Sequence, residues 1–253
     1  MQEEIEFEKY RIRGAYHWQD YFGGLFKIDC FLRARYDLVI ALMRKYGATK
    51  SSAVMDVGCG DGALSALIYK TFRCDLTGLD PSREGIRYCM QMFEKHNYKG
   101  TFRVSEGYAF DSPDNQFDFI IMADVIEHLR NPDLMLAETK RVMKETGKII
   151  ITTPIRTSEC PEDKMHAHEF FPGELLSLCA RYFGKPLDVV YSHPVGWYEL
   201  YSYGKKRNRS LIRLYCRVMD KIFGKNVFLQ NHAGNVWRNF KQQGLVFEKE
   251  HMG

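Results

Sequence analysis

Two hydrophobic periods alternate along this chain. Between residues 25 and 46 the apolar positions Phe26, Ile28, Phe31, Leu32, Leu38, Val39, Leu42 and Met43 fall at helical spacing, and Gly47 stops the helix they predict. Short apolar runs follow. Val54 to Val57 reads as a buried strand that turns sharply at three glycines, Gly58, Gly60 and Gly62, into a helix over 63–72. Strands are predicted over 75–80, 101–105 and 117–123, and a helix opens at Pro81-Ser82 and runs to about His96. Asn131-Pro132 supplies an N-cap and a first-turn proline for a helix that Gly147 would end, with a strand over 148–153 behind it.

Strands of this kind, apolar enough to be covered on both faces and alternating with helices, imply a parallel sheet in a doubly wound, Rossmann-like α/β fold. Ligands in that architecture bind beyond the carboxyl ends of the strands. Past Pro154 the rhythm loosens to a helix over 172–183, a strand over 187–191 and a last strand at Leu245-Val246-Phe247, seven strands in all. The stretch 196–244 reads as irregular, aromatic and basic. We divide the chain into a cover segment and helix (1–48), a core (49–195), and a lid insertion with the last strand (196–253).

Composition narrows the partners. Lys and Arg number 36 against 32 Asp and Glu, a formal charge of +4, too small to argue for nucleic acid unless the cations cluster. Seven cysteines without a CxxC or a pairing rhythm argue against metal fingers and a disulfide framework and favour a reducing compartment. The acidic start, Met1 to Glu6, is not a signal peptide, and no run approaches the roughly 18 apolar residues of a membrane span. A soluble, cytoplasmic protein is expected.

The glycine turn carries the first chemistry. Glycines would leave backbone N–H groups open to a ligand at the helix N-terminus. Asp80, twenty residues after Gly60 and at the end of the second strand, is placed to accept from the two hydroxyls of a ribose. The spacing G-x-G-x-G, and a turn without lysine, disfavour a dinucleotide or a nucleoside triphosphate. Asp56 would repel phosphate and suit a cationic amino group.

The ordered blocks Asp56-Val57-Gly58-Cys59-Gly60-Asp61-Gly62, Asp80-Pro81-Ser82, Phe117-Asp118-Phe119-Ile120-Ile121 and Lys148 to Pro154 resemble the class I S-adenosylmethionine-dependent methyltransferases. The resemblance implies S-adenosylmethionine as cofactor. It would put the methionine moiety on Gly58, Cys59 and Gly60, its amino group at Asp56, the ribose at Asp80 beside Pro81, and a backbone contact at Ala123. The family's Gly-Asp-Ala pattern is here Gly107-Tyr108-Ala109, which leaves the adenine to Tyr108 and Ala109.

Asp124-Val125-Ile126-Glu127-His128 follows the fourth strand, at the ligand end of the sheet, and Met165-His166-Ala167-His168-Glu169 follows the fifth. Two carboxylates and one or two imidazoles would suit a divalent ion. Alternatively the acids cap a helix and complement its dipole, with His128 a base that needs no metal. The cluster resembles the small-RNA 3′-end methyltransferases and, in part, the ubiquinone-biosynthesis O-methyltransferases. That resemblance implies Asp124, Glu127, His128 and His166 as metal ligands, and His128, Glu127 and His166 as the catalytic group.

The cations cluster late. From Gly204 to Lys225 eight Lys and Arg face one acid, Asp220, in a basic amphipathic helix. Three readings stand: a core-packed helix, a lid over an anionic substrate, or a surface that touches anionic lipid. The patch is short and no RNA-binding module accompanies it, which argues against nucleic acid. Tyr198, Tyr201 and Tyr203, with Tyr16, His17 and Trp18, are candidates for a substrate pocket or for core.

The function expected is O-methylation of a hydroxylated small molecule, sugar-containing and anionic or lipid-linked. A quinone precursor and an RNA terminus are the alternatives, and a non-catalytic adenosylmethionine-binding partner protein is the reading of another class.

Overall fold

The computed structural model describes residues 8–105, 108–156, 165–229 and 237–249. Its elements run α1 (Glu8–Arg13), α2 (Tyr16–Phe22), α3 (Cys30–Lys45), β1 (Ala53–Val57), α4 (Ala63–Phe72), β2 (Asp75–Asp80), α5 (Arg83–Lys95), β3 (Thr101–Val104), β4 (Phe117–Ala123), α6 (Pro132–Val142), β5 (Met143–Pro154), α7 (Pro172–Phe183), β6 (Asp188–Pro194), α8 (Val195–Tyr203), α9 (Lys206–Lys221) and β7 (Phe240–Glu248). A 3-10 turn, Ile126–His128, follows β4. The seven strands lie in the order β3-β2-β1-β4-β5-β7-β6. The first five are parallel, and β7 enters antiparallel between β5 and β6. The order reverses between β1 and β4, the topological switch point where a ligand crevice forms.

The apolar runs are continuous because successive strand residues enter opposite layers. Val54, Phe119, Ile121, Ile150 and Val246 pack with α3, α4 and α5. Met55, Val57, Ile120, Met122, Ile149, Ile151, Leu245 and Phe247 pack with α6 and α7. All six described cysteines are buried and unpaired. Among the described residues no helix is long and apolar enough to cross a membrane.

Caps set the helix starts. Asp29 Oδ1 accepts from the N–H groups of Phe31 and Leu32 (2.8 and 3.1 Å), so α3 begins five residues later than its apolar spacing suggested. Ser82 Oγ accepts from Gly85 N–H to start α5. Asn131 caps α6, with Pro132 in the first turn.

Two expectations need correction. Gly147 does not end α6, which stops at Val142 and passes directly into β5. The pairing with β4 slips between Phe117 and Phe119, and there Gly147 lets three groups close in: a Cβ would meet Met143 Cγ at 2.6 Å, the Lys144 carbonyl at 2.8 Å and the Phe117 carbonyl at 2.9 Å. The stretch 196–244, read as irregular, contains α8 and α9. α9 is anchored to α3 by Arg33, whose Nε donates to Asp220 at 2.6 Å.

Because two of the three atoms crowding Gly147 are backbone carbonyls, Gly147→Ala should destabilise the fold by about 1–3 kcal/mol. Urea unfolding should show a lower midpoint at unchanged m-value.

Candidate active site

A cavity of about 920 Å³ opens over the carboxyl ends of β1, β2 and β4. Gly58, Cys59, Asp80 and Pro81 form one wall, and Tyr108, Ala123 and the 124–130 segment another. Tyr10, Tyr16 and His17 from α1 and α2 cover it, Arg35 and Tyr36 reach in from α3, and Tyr198, Tyr203, Lys241 and Gln242 close the far side. The aromatic residues flanking the core therefore divide. Tyr16, His17, Tyr198 and Tyr203 are cavity walls, whereas Trp18 and Tyr201 are buried in core clusters.

The glycine turn works by shape and not by offering amides. Gly58, Gly60 and Gly62 all have left-handed φ (74°, 54° and 77°), which admits glycine and strains other residues. Their N–H groups are already used: Gly58 and Cys59 donate to the Leu79 carbonyl (2.7 and 3.0 Å), Gly60 to Asp80 Oδ2 (2.8 Å) and Gly62 to the Cys59 carbonyl (2.9 Å). The expectation of open donors is thus corrected. A Cβ on Gly58 would collide with Val125, and one on Gly60 with the Tyr10 hydroxyl.

Asp80 is held at the cavity edge by the N–H groups of Gly60 and Ser82. Burial raises its pKa to about 6, against those two hydrogen bonds. Asp56 lies elsewhere. It is buried beneath the turn, accepts from Ser65 Oγ at 2.5 Å and is not a cavity wall. Strand alternation turns it inward, and burial raises its pKa to about 7 despite the Ser65 bond. Ala109 likewise is not among the walls, while Tyr108 is, its hydroxyl accepting from Asn131 N–H.

The acid and histidine cluster is brought together in part. Glu127, His128 and His166 place one donor atom each within 4.8 Å of one another. Asp124 is not in that group. Its left-handed backbone (φ 56°) aims it at Arg35, 2.7 Å away, and at Gln242, whose Nε2 donates to it at 2.5 Å. His168 meets Phe170 edge to face and lines a separate small cavity, while its N–H donates to the Glu127 carbonyl and ties the 165–170 segment to the turn.

Within the trio, Thr153 Oγ1 donates to Glu127 Oε2 at 2.9 Å, and Glu127 Oε1 is buried with no hydrogen-bond partner among the described residues. Burial, then the nearby Asp124 carboxylate, raises the Glu127 pKa to about 8. His166 Nδ1 lies 2.6 Å from buried Glu169 Oε1, and His128 Nδ1 lies 3.0 Å from the Met165 carbonyl. A carbonyl only accepts, so His128 carries its proton on Nδ1 and its lone pair on Nε2. Burial lowers the His128 pKa, which keeps the ring neutral at pH 7. Sequence reasoning missed Arg35, Gln242, Thr153 and Glu169 as parts of this site. Only Glu169 left a local sign, at three residues from His166.

A family model described as a methyltransferase domain matches residues 48–196, more than half of the chain. The chain belongs to the class I S-adenosylmethionine-dependent methyltransferases. Among its relatives, the Arabidopsis thaliana phosphoethanolamine N-methyltransferase 3 is 27% identical over 153 residues, covering 60% of this chain and 30% of that one. The Pelagibacter ubique ubiquinone biosynthesis O-methyltransferase is 25% identical over 108 residues, covering 43% of this chain and 44% of that one. The chain spans under half the length of the curated relatives it matches. The solved PH0226 protein of Pyrococcus horikoshii shares this fold, with a TM-score of 0.62 at 18% identity over 96% of this chain and 99% of that one.

Asp56 and Asp80 ordinarily ionise near 3.8, and in the folded chain are raised to about 7 and about 6. Between those values the native state holds protons that the unfolded chain has released, so stability falls as pH rises. The thermal midpoint of the ligand-free protein should drop from pH 4 to pH 7, and less steeply in Asp56→Asn. An unchanged slope would clear the Asp56 carboxyl of that role.

Proposed function

We propose that this chain transfers the methyl group of S-adenosylmethionine to a hydroxyl oxygen of a small-molecule acceptor, with Glu127, His128 and His166 as the seat of a divalent ion and His128 as the base when no ion is bound. The observation that carries this reading is the buried, unpartnered Oε1 of Glu127, beside two imidazoles in the cavity that also holds the glycine turn. A lone carboxylate oxygen in that position is costly unless a cation or a proton meets it. The donor set, one carboxylate and two imidazoles whose Nδ1 atoms are engaged by Glu169 and a carbonyl, fits a divalent metal with a supporting shell. Asp124 does not fit, because Arg35 and Gln242 occupy its oxygens.

The cofactor supplies an already activated methyl group, so the protein's share is to position the acceptor and remove its proton. A metal bound here would lower the pKa of an acceptor hydroxyl and orient its neighbour, which suits a vicinal diol such as a sugar's. Without an ion, the Nε2 lone pair of neutral His128 takes the proton instead; with one, that lone pair is a ligand and the acidified hydroxyl gives its proton to solvent. Glu127 and the ring of His166 are held by Thr153 and Glu169 and do not need to reorganise. Arg35 is paired with Asp124, so Lys9, Arg130 and Lys241 are the wall cations that would meet a phosphate or another anionic group on the acceptor.

An amine acceptor is the second reading. It is favoured by the N-methyltransferase among the relatives and by the tyrosines at 16, 36, 108, 198 and 203, whose ring faces would suit a cationic product.

Labelled S-adenosylmethionine with pooled acceptors should show transfer to a hydroxyl that exhaustive chelation abolishes and a divalent ion restores. Glu127→Ala and His128→Ala should each lower kcat by about 10²–10⁴-fold with cofactor affinity retained. Full activity after chelation would remove the metal, and transfer to nitrogen would replace the hydroxyl. Tight cofactor binding without transfer would make the chain a binding partner.

A further inference from the structure

α9 packs the opposite way round from its sequence. Its apolar stripe would ordinarily face the protein and its cations the water. Instead, Arg209 donates to the Ser202 carbonyl (3.2 Å), Arg213 to that of Tyr201 (3.1 Å) and Arg217 to that of Ile28 (3.0 Å), with the Arg213 guanidinium 4.9 Å above the Tyr201 ring. These three arginines, with Ile212, Cys216 and Asp220, form the inner face. Five apolar residues are left outside: Leu211 is 62% exposed, Ile222 64% and Phe223 61%, with Leu214 and Tyr215 between them, the last stacked on Trp197. Phe26, two residues before the Ile28 carbonyl that holds Arg217, is 73% exposed.

Exposed cations accompany these residues. Lys221 and Lys225 flank Ile222 and Phe223, and Lys27 adjoins Phe26. The only acid of residues 204–225, Asp220, is neutralised by Arg33. No described α9 side chain is a wall of the 920 Å³ cavity, so these cations do not act as a lid on its contents.

We infer that α9 and the Phe26 loop dock the protein on an anionic lipid surface, with Leu211, Ile222 and Phe223 entering the headgroup layer and the lysines beside them meeting lipid phosphates. The apolar row from 211 to 223 extends about 18 Å along the helix axis, the form of an in-plane amphipathic helix. A phosphate polymer would use the cations but not the apolar tips. A second copy on the same face would bring Lys221 and Lys225 against their own kind. An anionic bilayer satisfies both features. α8 carries the cavity residues Tyr198 and Tyr203 and is joined to α9 through Gly204 and Lys205 alone, so docking sets the cavity rim beside the lipid. This goes beyond methyl transfer and does not depend on it, because docking is measured without an acceptor.

The test is flotation of the full chain with vesicles of phosphatidylcholine alone or mixed with phosphatidylglycerol. Binding is expected to the mixed vesicles only and to weaken with salt. Ile222→Ser with Phe223→Ser, and separately Lys221→Glu with Lys225→Glu, should each lower vesicle affinity about tenfold or more. Both should keep the wild-type unfolding midpoint and S-adenosylmethionine affinity. The inference is overturned by three results: no flotation, flotation indifferent to both pairs, or sedimentation showing a dimer that the serine pair dissolves. Preferential binding of RNA over vesicles would overturn it equally.

Discussion

The site depends on one oxygen, the carbonyl of Leu79. By accepting from both Gly58 and Cys59, it fastens the end of β1 to the end of β2 and fixes the turn between strand and α4. Asp80, the next residue, then falls within hydrogen-bond reach of Gly60 N–H. The left-handed glycines are what that arrangement requires, since the chain must bend back within two residues to deliver both N–H groups to one acceptor. The open face of the turn is left for a ligand, and Tyr10 closes its outer edge against Gly60.

Around that fixed turn, acids of similar chemistry take different roles through their partners. Asp124 is paired with Arg35 and Gln242, and its unusual backbone is held by an N–H bond to the Thr152 carbonyl. Asp56 is buried against a serine hydroxyl and serves the core. Glu127 has one oxygen satisfied and one not. What sets Glu127 apart is that its unpartnered oxygen lies beside two imidazoles in the cavity.

The frame of the molecule was legible because strand and helix periods differ. The helix at 63–72 and the strands at 75–80 and 117–123 fall where the apolar runs put them. Gly147 was misread because a glycine that stops a helix and one that admits neighbouring carbonyls look alike in sequence. The roles of Asp56 and Asp124 were obscured for another reason. Arg35 and Gln242 lie 89 and 118 positions from Asp124, and no local pattern announces contacts of that separation. His166 could be named from its string of neighbours, but only folding shows that Glu169 holds it and that His168 turns away. α9 was legible as a basic amphipathic helix, though which face it buries was not.

The position of β7 has a consequence for how the molecule comes to exist. Although it is the last of the seven strands in sequence, it lies between β5 and β6. Until it arrives, β5 presents an unpaired apolar edge and β6 has no neighbour in the sheet. Gln242, which steadies Asp124, and Lys241, on the cavity wall, arrive on the same strand. Pairings this distant in sequence close slowly. A nascent chain therefore carries the glycine turn long before it has a finished pocket, and the insertion of one strand both covers the apolar edge of β5 and completes the cavity.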